Sequence, residues 1–96
     1  MNDSTVIRMP RRFDYSANDE FMGGLTSALG NQKDGNNVIT LDCSQMDYID
    51  SAGIGLLVLS HKKAEQEDSK ICLTNLKESA REILYLANIQ QLIEFK

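Results

Sequence analysis

Apolar positions change their period along this chain, and each change marks an element. Thr5 to Met9 is a short strand-like run, and Pro10 with Arg11-Arg12 ends it, because proline cannot donate to a ladder. That places the strand at or near a sheet edge. Phe13-Asp14-Tyr15 extends it briefly, and Ser16 with Asp19 three residues on resembles a capping box that opens a helix. Phe21, Leu25, Ala28 and Leu29 then recur at helical spacing, with Gly30 placed to close the helix in a left-handed conformation. Gly23-Gly24 weaken the middle of this helix, and close packing is the only use that suggests itself for them.

After a polar, turn-rich link over Asn31 to Asn37, Val38 to Cys43 reads as a mostly buried, central strand. Met46 and Ile49 tuck inward from the following loop. A helix from Ala52 to about Gln66 carries Ile54, Leu57, Val58 and His61 on one face, and Leu56 and Leu59 on another near Lys63. This is more apolar circumference than a one-sided helix needs, so either two sides are covered or Leu56 and Leu59 face a partner. Ser69 to Thr74 is a further strand. Asn75, with Glu78 three residues later, is placed to cap a helix over Lys77 to Ala87, built on Ala80, Ile83, Leu84 and Ala87. Asn88 suits a left-handed end, and Leu92 to Phe95 is a last short strand. Strands alternating with helices imply a single α/β domain over residues 1–96, with a largely parallel sheet and right-handed crossovers.

Composition narrows the function. Ten basic against fourteen acidic residues leave a net charge of -4, which disfavours nucleic acid or an anionic membrane as the main partner and favours a protein. Cys43 and Cys72 both lie in apolar runs without a CxxC motif, as reduced, buried thiols would. With no signal pattern and no long apolar run, the expected location is the cytoplasm.

The stretch Asp50-Ser51-Ala52-Gly53-Ile54-Gly55 is the chemical focus. It follows a strand and opens the most apolar helix, so Ser51 stands at or next to the N-cap. There its hydroxyl can satisfy an orphan N–H, and the helix dipole favours negative charge. Gly53 and Gly55 each cost roughly 1 kcal/mol against alanine, so they serve close backbone approach to a partner protein or to the neighbouring loop. A hydrolase set of Ser51, Asp50 and His61 fails on geometry. His61, the sole histidine, lies ten residues along the same helix, about 15 Å away, and cannot take the Ser51 proton. One Gly-x-Gly without Gly-Lys-Ser/Thr is no phosphate loop. Asp42, Asp47 and Asp50 read as a solvated rim rather than a metal site, and no metal or other cofactor is expected.

Ile39-Thr40-Leu41-Asp42-Cys43-Ser44 followed by Met46-Asp47-Tyr48-Ile49-Asp50-Ser51-Ala52-Gly53-Ile54-Gly55 resembles the STAS domain of bacterial anti-sigma-factor antagonists. Phe13-Asp14 and Thr74-Asn75-Leu76 extend the likeness. The resemblance implies a mixed, mostly parallel sheet of about four strands flanked by helices, lacking the family's first strand and last helix. It implies that Ser51 is phosphorylated by an anti-sigma factor acting as a serine protein kinase, which supplies ATP and magnesium, and restored by a serine phosphatase. Unphosphorylated, the protein would bind that partner through Asp14, Asp50, Ser51, Ala52, Gly53, Ile54, Gly55, Leu56 and Leu59. Ala52 replaces the second serine of many relatives, leaving Ser51 as the single acceptor in the motif. A bare sheet face suggests a homodimer or a partner. The alternative is a non-switching structural subunit of a transporter or signalling complex.

Overall fold

A computed structural model describes residues 5–30 and 37–96 of the chain. Four strands form one sheet in the order β1 (Thr5–Arg8), β3 (Asn37–Asp42), β5 (Ser69–Thr74) and β6 (Glu94–Phe95). Two more, β2 (Arg12–Phe13) and β4 (Tyr48–Ile49), pair only with each other. Among the described residues every pairing is parallel, so the largely parallel sheet of about four strands expected from the alternation is the one present. The helices α1 (Asn18–Gly30), α2 (Ser51–Gln66) and α3 (Glu78–Leu86) are the crossovers.

Because the strand order rises monotonically, right-handed crossovers put all three helices on one face of the sheet. Burial follows that rule. Ile39, Leu41, Ile71 and Leu73 point to the helices and share one core with Phe21, Leu25, Leu57, Ala80 and Leu84. The alternate residues point to the other face, where Thr40 Oγ1 lies 3.5 Å from Cys72 Sγ and Val6 is 61% exposed. Cys43 and Cys72 are both free and buried, as expected from their apolar runs. Burial, reinforced by Asp42 and Cys72, pushes the Cys43 thiol up to about 12, so it stays neutral and donates weakly to the Leu41 carbonyl at 3.5 Å.

Several local expectations give way. Ser16 does not cap α1: a 3-10 turn over Tyr15–Ala17 precedes the helix, and the Asp14 carboxylate caps that turn by accepting from the Ser16 amide at 3.0 Å. A carboxylate is the stronger acceptor for an orphan N–H, and the strand ahead of it delivers Asp14 to that position. Gly30 is the last residue of α1 and has no left-handed backbone. A Cβ on Gly23 or Gly24 would meet nothing within 4 Å, so close packing does not explain that pair. Asn75 does not cap α3. It adopts a positive φ of 58° and donates instead to Asp42, while Lys77 stands at the N-cap without a side-chain capping bond. Asn88 is left-handed, with φ 61°, as its type suggested. The polar link from Asn31 lies outside the described residues as far as position 36.

Candidate functional site

The site is a pair of neighbouring helix entrances. In β2 and β4, Arg12 lies opposite Tyr48 and Phe13 opposite Ile49. Each strand is followed at once by an aspartate that caps what comes next. Asp14 serves the turn into α1, and Asp50 accepts from the Gly53 amide at 2.9 Å to open α2. Ser51 is therefore the first residue inside α2 rather than its cap. Asp50 does the capping expected of the serine, which leaves the Ser51 hydroxyl exposed at the positive end of the helix.

Gly53 explains how tightly the two entrances abut. It is buried, and a Cβ built on it would lie 2.1 Å from the Phe13 carbonyl oxygen and 2.9 Å from Ile49 Cγ1. Of the two expectations for this glycine, the neighbouring loop is the one it approaches. Phe13 is itself locked in the core by an edge-to-face contact with Phe21, ring centroids 4.9 Å apart. Gly55 is the opposite case: it is exposed, and a Cβ there would meet nothing within 4 Å.

Down the outer side of α2, Ser51, Gly55 and Leu59 recur at intervals of four, which aligns them on one face. Leu59 is 53% exposed, and Ala52 is exposed beside Ser51. Leu56 is not on this surface. At 4% exposure it belongs to the core with Leu57, Ser60 and Ala64, so its place among the partner contacts is corrected to one of support. Ile54, Val58 and His61 are half-buried. His61 sits far down the same helix from Ser51, as the spacing required.

Beside Asp42 and Asp47, already read from the sequence as a rim, stand Arg11, Arg12, Tyr15 and Lys77, which sequence reasoning left out of the site. The Arg12 guanidinium lies 4.3 Å from the centroid of the Tyr48 ring and 3.4 Å from Asp14. Tyr15 is 73% exposed next to that pair. The Asp47 carboxylate accepts from Arg11 at 3.0 Å and from Lys77, while its amide and that of Tyr48 both donate to the Arg11 carbonyl. Asp42 accepts from Asn75 at 3.1 Å and from the Ser44 amide at 3.0 Å. The recurring apolar-Asp pair, Phe13-Asp14 and Ile49-Asp50, was the one signal that could have located the double entrance.

These bonds set the electrostatics. Asp47 is held below the usual carboxylate range by Lys77 first and then Arg11, Asp14 chiefly by the Ser16 hydroxyl, and Asp42 chiefly by Asn75. Asp42, Asp47 and Asp50 are thus each engaged separately, and among the described residues no three acids, histidines or cysteines gather in a metal-binding group. A carboxylate lowered in the folded state stabilises the fold above its unfolded value, near 3.9, and that contribution disappears as the pH falls through the folded value. The thermal midpoint of the wild type should therefore drop below about pH 4. Asp47→Asn should flatten that drop; equal acid slopes in the two proteins would remove Asp47 from the account.

Among the described residues no helix is long and apolar enough to cross a membrane. A sequence model of the STAS domain matches residues 2–96. A STAS-domain containing protein of Pseudomonas aeruginosa (strain UCBPP-PA14) is 27% identical over 89 residues, covering 93% of this chain and 84% of its own. The anti-sigma factor antagonist SpoIIAA in its unphosphorylated form superimposes with a TM-score of 0.76 at 17% identity, over 100% of this chain and 82% of SpoIIAA. A sulfate transporter family protein from Wolinella succinogenes gives a TM-score of 0.76 at 18% identity, over 96% and 75%. At these identities the two structures speak for the fold.

Proposed function

The chain belongs to the STAS domain family, and we propose that it acts there as an anti-sigma-factor-antagonist-like regulator in a partner-switching pathway. Unphosphorylated, it binds an anti-sigma factor that is also a serine protein kinase; phosphorylation of Ser51 releases it, and a serine phosphatase restores it. The observation that carries this reading is Ser51 itself. It is an exposed residue at the first position of α2, excused from capping by Asp50, with the sole histidine ten residues further along the same helix. Such a group is a substrate for another protein's chemistry rather than a nucleophile in this one.

The outer side of α2 suits a close partner. Gly55 weakens the helix without any steric need inside the fold, and it lies between Ser51 and the exposed Leu59. A bare backbone there lets a partner approach the helix closely, with Ala52, Asp14 and Tyr15 at the margin. Gly53, Ile54 and Leu56 hold that surface from behind.

The likeness to a sulfate transporter family protein favours a second reading, a STAS subunit of a transporter or signalling complex in which Ser51 is never modified. Incubation with ATP and extract of the source cells, followed by mass spectrometry, separates the two. The switching reading expects one phosphate, on Ser51, absent from Ser51→Ala. A protein recovered unmodified at Ser51 under conditions that phosphorylate other proteins of the extract would favour the subunit.

A further inference from the structure

Four side chains at the Ser51 end share one outward face. Arg12 and Tyr48 are partners across the β2–β4 ladder, and the backbone stays extended at the next position of each strand, Asp14 (φ -131°, ψ -167°) and Asp50 (φ -122°, ψ -172°). Side chains alternate along a strand, so Phe13 and Ile49 enter the core while Arg12, Tyr48, Asp14 and Asp50 stand on the opposite side. The Arg12 guanidinium spans this face. It lies 4.3 Å from the centroid of the Tyr48 ring, and its Nη2 is 3.4 Å from an Asp14 carboxylate oxygen.

Neither contact holds the arginine firmly. A separation of 3.4 Å is long for a charged pair, where about 2.7–2.9 Å is usual, and the Arg12 side chain is 67% exposed. Asp14 has donors of its own, the Ser16 amide at 3.0 Å and the Ser16 hydroxyl at 2.5 Å, so it stays engaged if the arginine leaves. The nearby cations Arg11 and Lys77 are committed to Asp47.

Ser51 follows Asp50 directly. Three residues from Tyr48 to Ser51 span at most about 11 Å, and one ladder spacing of about 5 Å separates Tyr48 from Arg12, so the Cα atoms of Arg12 and Ser51 are no more than about 12 Å apart. That is within the combined span of an arginine and a phosphoserine reaching toward each other. The geometry points to Arg12 as the internal receptor of a phosphate on Ser51: the guanidinium leaves Asp14 and the Tyr48 ring and forms a two-pronged pair with the phosphate oxygens. This rests on Ser51 being the phosphorylation site proposed above.

The exchange is favoured because the planar fork of the guanidinium matches phosphate geometry, and phosphate offers about -1.5 to -2 charges where the Asp14 carboxylate offers one. It gives the new charge a partner beside the like charge of Asp50. It also remodels the surface at a second place, since the Tyr48 ring, 40% exposed, loses its arginine cover and Asp14 loses its cation. A partner fitted to Arg12 stacked on Tyr48 then meets an altered surface as well as a charge. Aspartate at position 51 has a shorter arm and one charge, so it copies the charge without drawing Arg12 away.

The test uses the whole chain with phosphoserine installed at position 51 during synthesis, so no kinase is needed. Phosphorus NMR at low salt follows the second ionisation of that phosphate, ordinarily near pH 6. Its midpoint should lie about half a unit to one unit lower in the wild type than in Arg12→Gln, the lower end of what an adjacent cation produces, because the pair is exposed. Asp50, Asp14, Tyr15, Tyr48 and the dipole of α2 face the phosphate in both proteins, so the difference reports Arg12. Arg11→Gln should titrate as the wild type does, and Arg12→Lys should restore part of the difference. The Tyr48 ring protons should shift further on phosphorylation in the wild type than in Arg12→Gln. Arg12 and Arg11 are exposed, so these substitutions leave the fold in place, which melting curves check. Equal midpoints in the wild type and Arg12→Gln, or an equal change in Arg11→Gln, would overturn the inference. Its failure would leave the Ser51 switch standing, and a Ser51 never phosphorylated in the cell would leave the titration of the installed phosphate unchanged, so the two are separable.

Discussion

Ser51→Asp is expected to lower affinity for the proposed kinase partner by about two to three decades while leaving the fold intact. Ser51→Ala should bind as tightly as the unmodified protein. The asymmetry follows from where the charge sits. In the free protein an added negative charge at the first position of α2 meets the positive end of the helix, which favours it by roughly 0.3–1 kcal/mol. The hydroxyl is exposed and Asp50 already holds the Gly53 amide, so neither substitution breaks a cap or opens a cavity. In a complex that covers the corner, the same charge loses water beside the Asp50 carboxylate. An unpaired charge buried in this way costs about 3–5 kcal/mol, and each 1.4 kcal/mol is tenfold in affinity. Phosphate, with about -1.5 to -2 charges, acts in the same direction. Calorimetric titration of both variants with the purified partner, alongside matched thermal melts, is the measurement. Equal dissociation constants for Ser51→Asp and Ser51→Ala would end the switch hypothesis.

Gly53→Ala should be among the most damaging small substitutions in the chain, and Gly55→Ala, two residues on, should stabilise it. At Gly53 the new methyl would lie 2.1 Å from the Phe13 carbonyl oxygen, a backbone atom fixed by β2 and by the Phe13–Phe21 contact. Either α2 or the α1 entrance has to move. Overpacking of this kind costs about 3 kcal/mol at the upper end, well above the roughly 1 kcal/mol that alanine regains in helix propensity. For a domain of this size the net loss is a fall in melting temperature of roughly 10 °C. At Gly55 no atom obstructs the methyl, so the propensity gain of up to about 1 kcal/mol stands alone and the melting temperature rises by roughly 4–8 °C. If the outer side of α2 is the docking surface, Gly55→Ala should still bind the partner less well. Melting curves of the two variants decide the structural half, and a Gly53→Ala protein as stable as the wild type would refute the close approach. Titration of Gly55→Ala against the partner decides the other half.

Much of the molecule was legible one element at a time. The helical spacing of Phe21, Leu25, Ala28 and Leu29 identified the buried face of α1 without error. The apolar run from Val38 marked a central strand, and the alternation of elements implied the parallel sheet. Asp50-Ser51 before an apolar helix was enough to single out the corner. These features are local: one period or one residue type repeated over a few turns contains them.

What the sequence by itself determined, then, is the kind and order of elements, the greater part of the core, and the presence of a serine where a strand gives way to a helix. Only the tertiary structure decided how that serine is presented. The capping role passed from Ser51 to Asp50 and from Ser16 to Asp14, because the two-residue β2–β4 ladder delivers the carboxylates to those positions. Leu56 turned inward and Leu59 outward because one helix layer covers one sheet face. Gly53 is indispensable because Phe13, forty residues earlier in the chain, brings a carbonyl against it. Local preferences amount to about 1 kcal/mol or less per residue, whereas a steric conflict or a buried side chain is worth several. Where the two compete, the contact made across the fold prevails.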